Sequence, residues 1–376
     1  MSRWSLPFDV AVLGGLALFA VLLVPVLVVQ YRRFGRLSAR RVLAVSAVCV
    51  YAVALVAYTT LPLPPTTENC GPRGGTRVQL VPFTFVHDIA RQTAGLGVVA
   101  TLTSAVTLQV VFNVALFVPF GLLVRRFAGR RLGTTVLLGL LTSLVVEVSQ
   151  GTALWGLYAC SYRVADVDDL IANTTGALVG ALLAPRFLAW LPMPAQLVPR
   201  RLEPRRVTVV RRWTGMVVDA AVFAVSSAVV AFVGRVLAEL LELPDASLLG
   251  GLAPAVPTLL AGVATFVVPV LTRRGASLGQ RLVWLRPRWG SPPSLVRRLL
   301  LAAVGTGWAL SFALGAVVDG ESPWQLVALV LSVPAVLAVL SVPFTRGSRG
   351  LSLVLARADL VDSRSPAVPT LTRTSG

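Results

Sequence analysis

Apolar residues run in nine long stretches, broken by short segments rich in arginine, proline or acidic residues. The stretches are roughly Val10–Val29, Val42–Leu61, Val106–Val124, Leu132–Val148, Leu170–Leu191, Met216–Leu237, Leu252–Leu271, Leu299–Val318 and Leu326–Val342. A helix needs about 20 predominantly apolar residues to cross roughly 30 Å of hydrocarbon. The pattern therefore predicts an all-α polytopic integral membrane protein with about nine transmembrane helices. The first stretch is too long for the core of a cleaved signal, and only Arg3 precedes it, so it is expected to stay as a span.

Composition agrees. The chain has 376 residues, of which 56% are hydrophobic and 13% charged, where soluble domains carry about a quarter charged residues. Net charge is +18, and every basic side chain is arginine, with no lysine. The arginines sit in short segments: Arg32, Arg33, Arg36, Arg40 and Arg41; Arg125, Arg126, Arg130 and Arg131; then 200–212 and 273–288. With nine spans these fall on one side, while "LAELLELPDA" and "DGESPW" fall on the other. The positive-inside rule makes the basic side cytoplasmic, the N-terminus external and the C-terminus internal. Anionic lipid headgroups on the cytoplasmic face are the expected partners of this charge, rather than nucleic acid.

A Pro- and Arg-rich segment, 192–210, reads as a cytoplasmic linker. It separates a five-helix domain, 1–191, from a four-helix domain, 211–362, with 363–376 as a disordered tail. The long outer segment from Pro62 to about Ala105 includes "FTFVHDIARQTAGL", which reads as an amphipathic helix lying on the outer surface.

Polar residues in the first domain gather at one membrane boundary. On the third span, Gln109, Asn113, Phe117 and Gly121 share a helix face, and Pro119 can kink that helix. The fourth span ends outside with Ser143, Glu147 and Gln150. The fifth begins outside and carries Asp166, Asp169, Asn173, Gly176 and Gly180 on one stripe. Gly176 and Gly180 are spaced for close helix approach. An intramembrane carboxylate calls for a partner, and Arg163 is the nearest outer arginine to Glu147. Taken singly, these groups read as caps and interhelical hydrogen bonds, with Asp168 or Asp169 capping the fifth span. Together, on three spans at one depth, they predict an outer-face polar site of Asn113, Glu147, Gln150, Arg163, Asp166, Asp169 and Asn173.

The segments "NVALFVPFG", "EVSQ" and "RVADVDDLIANTTGALVG" resemble, in order and spacing, the VanZ-like family of bacterial membrane proteins. The matching positions are Asn113, Phe117, Pro119, Gly121, Glu147, Gln150, Arg163, Asp166, Asp169, Asn173 and Gly176, and the resemblance covers about residues 1–190. It implies a multi-pass protein of the bacterial cytoplasmic membrane, linked to glycopeptide tolerance of the teicoplanin type. It supplies no reaction.

In the second domain, Arg212 precedes Asp219 by seven residues, and "GASLGQRLVWLRP" and "RGLSLVLARADLV" follow. This resembles the RDD family over about residues 205–362. Gln280 stands where a Lys is common, and Leu353 where a second Asp is expected. No ion coupling is carried over from that resemblance. Asp219 reads instead as a structural carboxylate paired with Arg212 or Arg297.

Cys70 and Cys160 both fall in outer loops, where a disulfide and two unpaired thiols are both open readings. His87, the only histidine, reads as an exposed interfacial residue. No zinc spacing, phosphate-binding loop or catalytic triad is evident, so no metal or cofactor is expected. Three functions stay open. The first is a non-enzymatic envelope protein whose outer site binds, or limits access to, a cell-wall precursor, lipid or glycopeptide. The second is a transporter or exchanger using Glu147 or Asp219, for which no inverted repeat is visible. The third is an enzyme on a lipid-linked substrate, for which no nucleophile motif is visible.

Overall fold

The computed structural model describes residues 5–61, 63, 78–158, 161, 163–241, 250–318 and 323–366. Among these, nine helices are long and apolar enough to cross a membrane. They are α1 (Ser5–Phe34), α2 (Ala39–Thr60), α4 (Ala105–Arg126), α5 (Leu132–Gly151), α6 (Val167–Phe187), α7 (Val209–Leu240), α8 (Ala253–Leu271), α10 (Leu295–Gly315) and α11 (Pro323–Leu340). Shorter helices include α3 (Thr84–Gln92), α9 (Leu278–Leu282) and α12 (Gly350–Leu355). Cys70 and Cys160 lie outside the described residues. Cys49 is a buried free thiol in α2.

Two helices outrun their apolar stretches. α1 has 30 residues and α7 has 32. At 1.5 Å per residue each is about 45 Å or longer, enough to cross the headgroup regions as well. Backbone hydrogen bonding continues past the hydrocarbon edge, where hydropathy no longer marks the helix.

Internal contacts divide the chain into two units: Met1–Leu23 with Ser38–Val198, and Val24–Leu37 with Pro199–Gly376. The sequence had placed all of the first span in the first domain. The end of α1 joins the second unit because Trp284 Nε1 donates to Tyr31 O at 2.9 Å and the Arg32 guanidinium stacks 4.5 Å from the Trp284 ring.

In the first unit α6 is the most enclosed span. Small residues make this possible. A Cβ on Gly176 would stand 2.1 Å from Val114 O, one on Gly180 2.0 Å from Val118 O, and one on Gly121 2.0 Å from Ala177 O. The backbones of α4 and α6 therefore touch along two turns, around the fully buried Phe117. Tyr51 of α2 closes this core by donating its hydroxyl to Leu116 O at 2.9 Å. At the opposite end from Glu147, Arg41 donates to Pro192 O and Phe127 O, and Arg126 to Leu188 O and Ala189 O. These bonds satisfy carbonyls at and beyond helix C-termini.

The segment before α4 is tied to α6 in two ways. β1 (Val78–Gln79) pairs in parallel with β2 (Ala165–Asp166). Asp168 then accepts the N–H groups of Phe83 at 2.5 Å and Phe85 at 3.1 Å, and the Thr84 hydroxyl at 2.6 Å. Asp168 thus caps the start of α3, a neighbouring helix. The cap of α6 itself is Asp166, whose carboxylate accepts the Asp168 N–H at 2.8 Å. The sequence assigned that cap to Asp168 or Asp169. The pairing of β1 with β2, which brings α3 to Asp168, decides otherwise.

The second unit holds β3 (Leu285–Trp289) antiparallel to β4 (Ala358–Asp362), packed with Tyr31, Val283, Leu353 and Ala356 in one core. Asp362 sits at the end of this ladder. Its carboxylate accepts from Arg211 at 2.9 Å, from the Arg364 side chain at 2.7 and 2.9 Å, and from the backbone N–H groups of Arg364 and Arg205. Burial alone would raise its pKa, but the Arg364 contacts and then those from Arg211 and Arg205 outweigh it and hold the carboxyl well below the usual range. Arg364, which the sequence placed in a disordered tail, is therefore part of the folded unit.

Candidate functional site

Three helices deliver polar side chains to one end of the first unit: α4 with Asn113, α5 with Ser143, Glu147 and Gln150, and α6 with Asp169 and Asn173. The glycine contacts between α4 and α6 bring the first and third of these within hydrogen-bonding distance. Asn113 Nδ2 donates to Asp169 Oδ1 at 2.5 Å. Deeper along α6, Asn173 Nδ2 donates to Ser143 Oγ at 2.9 Å, and Asn173 Oδ1 is buried without a hydrogen-bond partner.

Glu147 is 6% exposed. Its Oε2 accepts the backbone N–H of Asp166 at 3.0 Å. The sequence had nominated Arg163 as its partner. Arg163 is within electrostatic reach, but its guanidinium is directed to Thr59 O at 3.4 Å and the side chain is exposed. An arginine at the loop edge keeps its hydration, whereas the backbone N–H of half-buried Asp166 needs an acceptor. Gln150 reaches the same Thr59 carbonyl with Nε2 at 2.8 Å.

A cavity of about 650 Å³ lies in the second unit, and one of about 230 Å³ lies here. The smaller is lined by Gln79, Glu147, Thr152 and Asp166 among apolar residues such as Leu144 and Leu170. Its polar groups are mostly acceptors. Burial raises the Asp166 carboxyl above the ordinary range; the Asp168 N–H opposes this, and the negative charges of Asp168 and Asp88 add to it. Of the residues named from sequence, Glu147 and Asp166 face this cavity. Asn113, Asp169 and Asn173 form the interhelical bonds beneath it, and Gln150 and Arg163 meet at Thr59 O. Gln79 was not foreseen, because only the pairing of β1 with β2, across 85 residues of chain, places it there.

In the second unit Asp219 makes no direct ion pair with either arginine nominated from sequence, although Arg212 is within its electrostatic reach. Its carboxylate accepts the Ser277 hydroxyl at 2.6 Å and the Gly279 N–H at 2.7 Å. Arg297 donates instead to Ala356 O and Arg357 O. α9 can approach this closely because a Cβ on Gly279 would stand 2.0 Å from Gly215 O. Fully buried Leu353 packs in the second unit's core rather than at a charged position.

The segment that carries this polar cluster is VanZ-like: residues 45–189 match the family model VanZ/LLP1. No curated protein and no solved structure matches the chain. A multi-pass membrane protein with a VanZ-like segment is the class that the nine helices and this match define.

Proposed function

We propose that the chain is a non-enzymatic protein of the bacterial cell envelope. Its N-terminus faces outward, and the mouth of α5 and α6 is a binding site open to the outer side. The observation that carries this reading is the pair of carboxyl groups, Glu147 and Asp166, on one small cavity with Gln79. The wall is largely apolar, and the acceptors set in it, Glu147, Asp166 and Gln79, favour a ligand that presents a hydroxyl, amide or ammonium donor beside an apolar part. Cell-wall precursors and glycopeptide antibiotics both carry such donors, and the VanZ-like match favours this class of ligand over an ion or a lipid-linked substrate for catalysis. Asn113, Asp169 and Asn173 hold the three helices in register and are positioning residues.

The C-terminal unit is proposed to be RDD-like. The meeting of Asp219 with Ser277 and Gly279 supports this, since it joins the two segments that carry the resemblance.

A knockout strain complemented with wild type, Glu147→Gln or empty vector tests the envelope reading through teicoplanin susceptibility. Susceptibility is expected to rise in the knockout, to be restored by wild type, and to stay raised with Glu147→Gln at equal membrane abundance. Unchanged susceptibility in the knockout overturns the tolerance role.

A further inference from the structure

The 650 Å³ cavity of the second unit is largely apolar, with Arg212, Asp219, Ser277, Gln280 and Ser352 as its polar lining residues. Aromatic and aliphatic side chains from α7, α8, α10 and α11 make the walls, with Phe266 and Trp308 edge to face at 6.4 Å between ring centres. Phe266 belongs to a π-helical turn, Val263–Val267, within α8. It packs where a Cβ on Gly305 would stand, 2.4 Å from its ring. Such turns widen a helix locally and recur at functional sites.

At the start of α7, Arg212 lines the same cavity. It is 4% exposed, donates through Nη2 to Ser352 Oγ at 3.3 Å, and leaves Nε buried with no hydrogen-bond partner. No carboxylate lies within ion-pair distance of it among the described residues. Asp219 shares the wall, but each of its oxygens is already engaged, by Ser277 and by Gly279. Asp219 therefore acts on Arg212 only at longer range; a buried guanidinium without a direct anionic contact is costly, and a ligand anion at Nε lowers that cost.

The cavity is also accessible from the side. Val217 of α7 and Val336 of α11 line it and are 43% and 54% exposed. Trp213 Nε1 closes one end of this gap by donating to Val339 O at 3.0 Å. Arg212 is the fourth residue of α7, and lining continues along that helix to Ala220. Eight residues on, this is about 12 Å of largely apolar wall leading away from a cation at the membrane edge.

We propose that this cavity binds one anionic amphiphile from the bilayer. Its carboxylate or phosphate head meets Arg212, and its hydrocarbon chain lies along Phe266 and Trp308. Both the volume and the arrangement, mostly apolar with a few polar groups around Arg212, suit a small-molecule site.

Native mass spectrometry of the full chain, released from detergent after exposure to oleate, to dioleoylphosphatidylglycerol or to neutral dioleoylglycerol, tests this. At least one anionic probe is expected to remain bound at one copy per chain, with dioleoylglycerol at least tenfold weaker. Oleate alone identifies a carboxylate head, and phosphatidylglycerol alone a phosphate head. Arg212→Gln is expected to weaken the anionic probe about tenfold or more, as loss of a charge-assisted hydrogen bond requires. Ala335→Phe fills the cavity without touching Arg212 and is expected to weaken it similarly, which separates binding from misfolding of the arginine variant. Retention of neutral and anionic probes alike, no retention of any probe, or undiminished binding by Ala335→Phe overturns the proposal.

Discussion

Asn113 Nδ2 donates to Asp169 Oδ1 at 2.5 Å, and this bond joins α4 to α6 beyond their glycine contact. Replacing Asn113 with Leu leaves a partly buried carboxyl without its donor. The variant is expected to lose about 1–3 kcal/mol of stability, read as a lower thermal midpoint in detergent. Asn113→Asp sets two carboxyl groups against each other and is expected to lose at least as much. Equal midpoints for wild type and both variants would show that the bond carries no stability.

The glycine seam makes a sharper demand. Gly176→Ala and Gly180→Ala each place a methyl group about 2 Å from a backbone carbonyl of α4, an overlap that only separation of the helices relieves. Each is expected to cost about 3 kcal/mol or more and to lower the yield of folded protein. Gly133→Ala is the control, because a Cβ there meets nothing within 4 Å.

Asp168 holds helix α3 rather than its own. Asp168→Ala removes acceptors from three donors at Phe83, Thr84 and Phe85. Hydrogen exchange is expected to accelerate across residues 83–92 while α6 stays protected. Faster exchange in α6 and none in α3 would contradict the assignment of Asp168 to α3.

Acid should act on the second unit through Asp362. Its folded pKa lies below the ordinary carboxylate value, so the unfolded chain takes up the proton first. The stabilisation is therefore complete above about pH 3.9 and is lost as pH falls from there through the folded value. Asp362→Asn leaves Arg211 buried without its anion and is expected to cost about 3–5 kcal/mol at neutral pH. The difference between the two unfolding midpoints should narrow as pH falls below about 4. A difference independent of pH would rule out this origin.

The spans were legible because hydrocarbon imposes a length that hydropathy displays directly. The faces of α4, α5 and α6 were legible too, because Asn113, Phe117 and Gly121 or Asp169, Asn173, Gly176 and Gly180 repeat at helical spacing. Partners were not. Asp168 and Phe83, Gln79 and Asp166, Asp219 and Gly279, and Arg211 and Asp362 meet only through pairings across 60 to 151 residues of chain. No local periodicity encodes those pairings. Nearest-in-sequence reasoning therefore chose Arg163 for Glu147, where a backbone N–H serves instead. The end of α1 joined the second unit for the same reason, since Trp284 is 253 residues from Tyr31.

The most direct test of the outer site is the affinity of the purified protein, in lipid nanodiscs, for teicoplanin and for a lipid-linked cell-wall precursor. The comparison is between wild type and Glu147→Gln, whose shape is nearly the same. Binding of at least one of the two by wild type is expected, weakened about tenfold or more by Glu147→Gln through loss of a carboxylate acceptor. Binding of neither compound, or equal affinity in the two proteins, would contradict a binding role for the Glu147–Asp166 cavity.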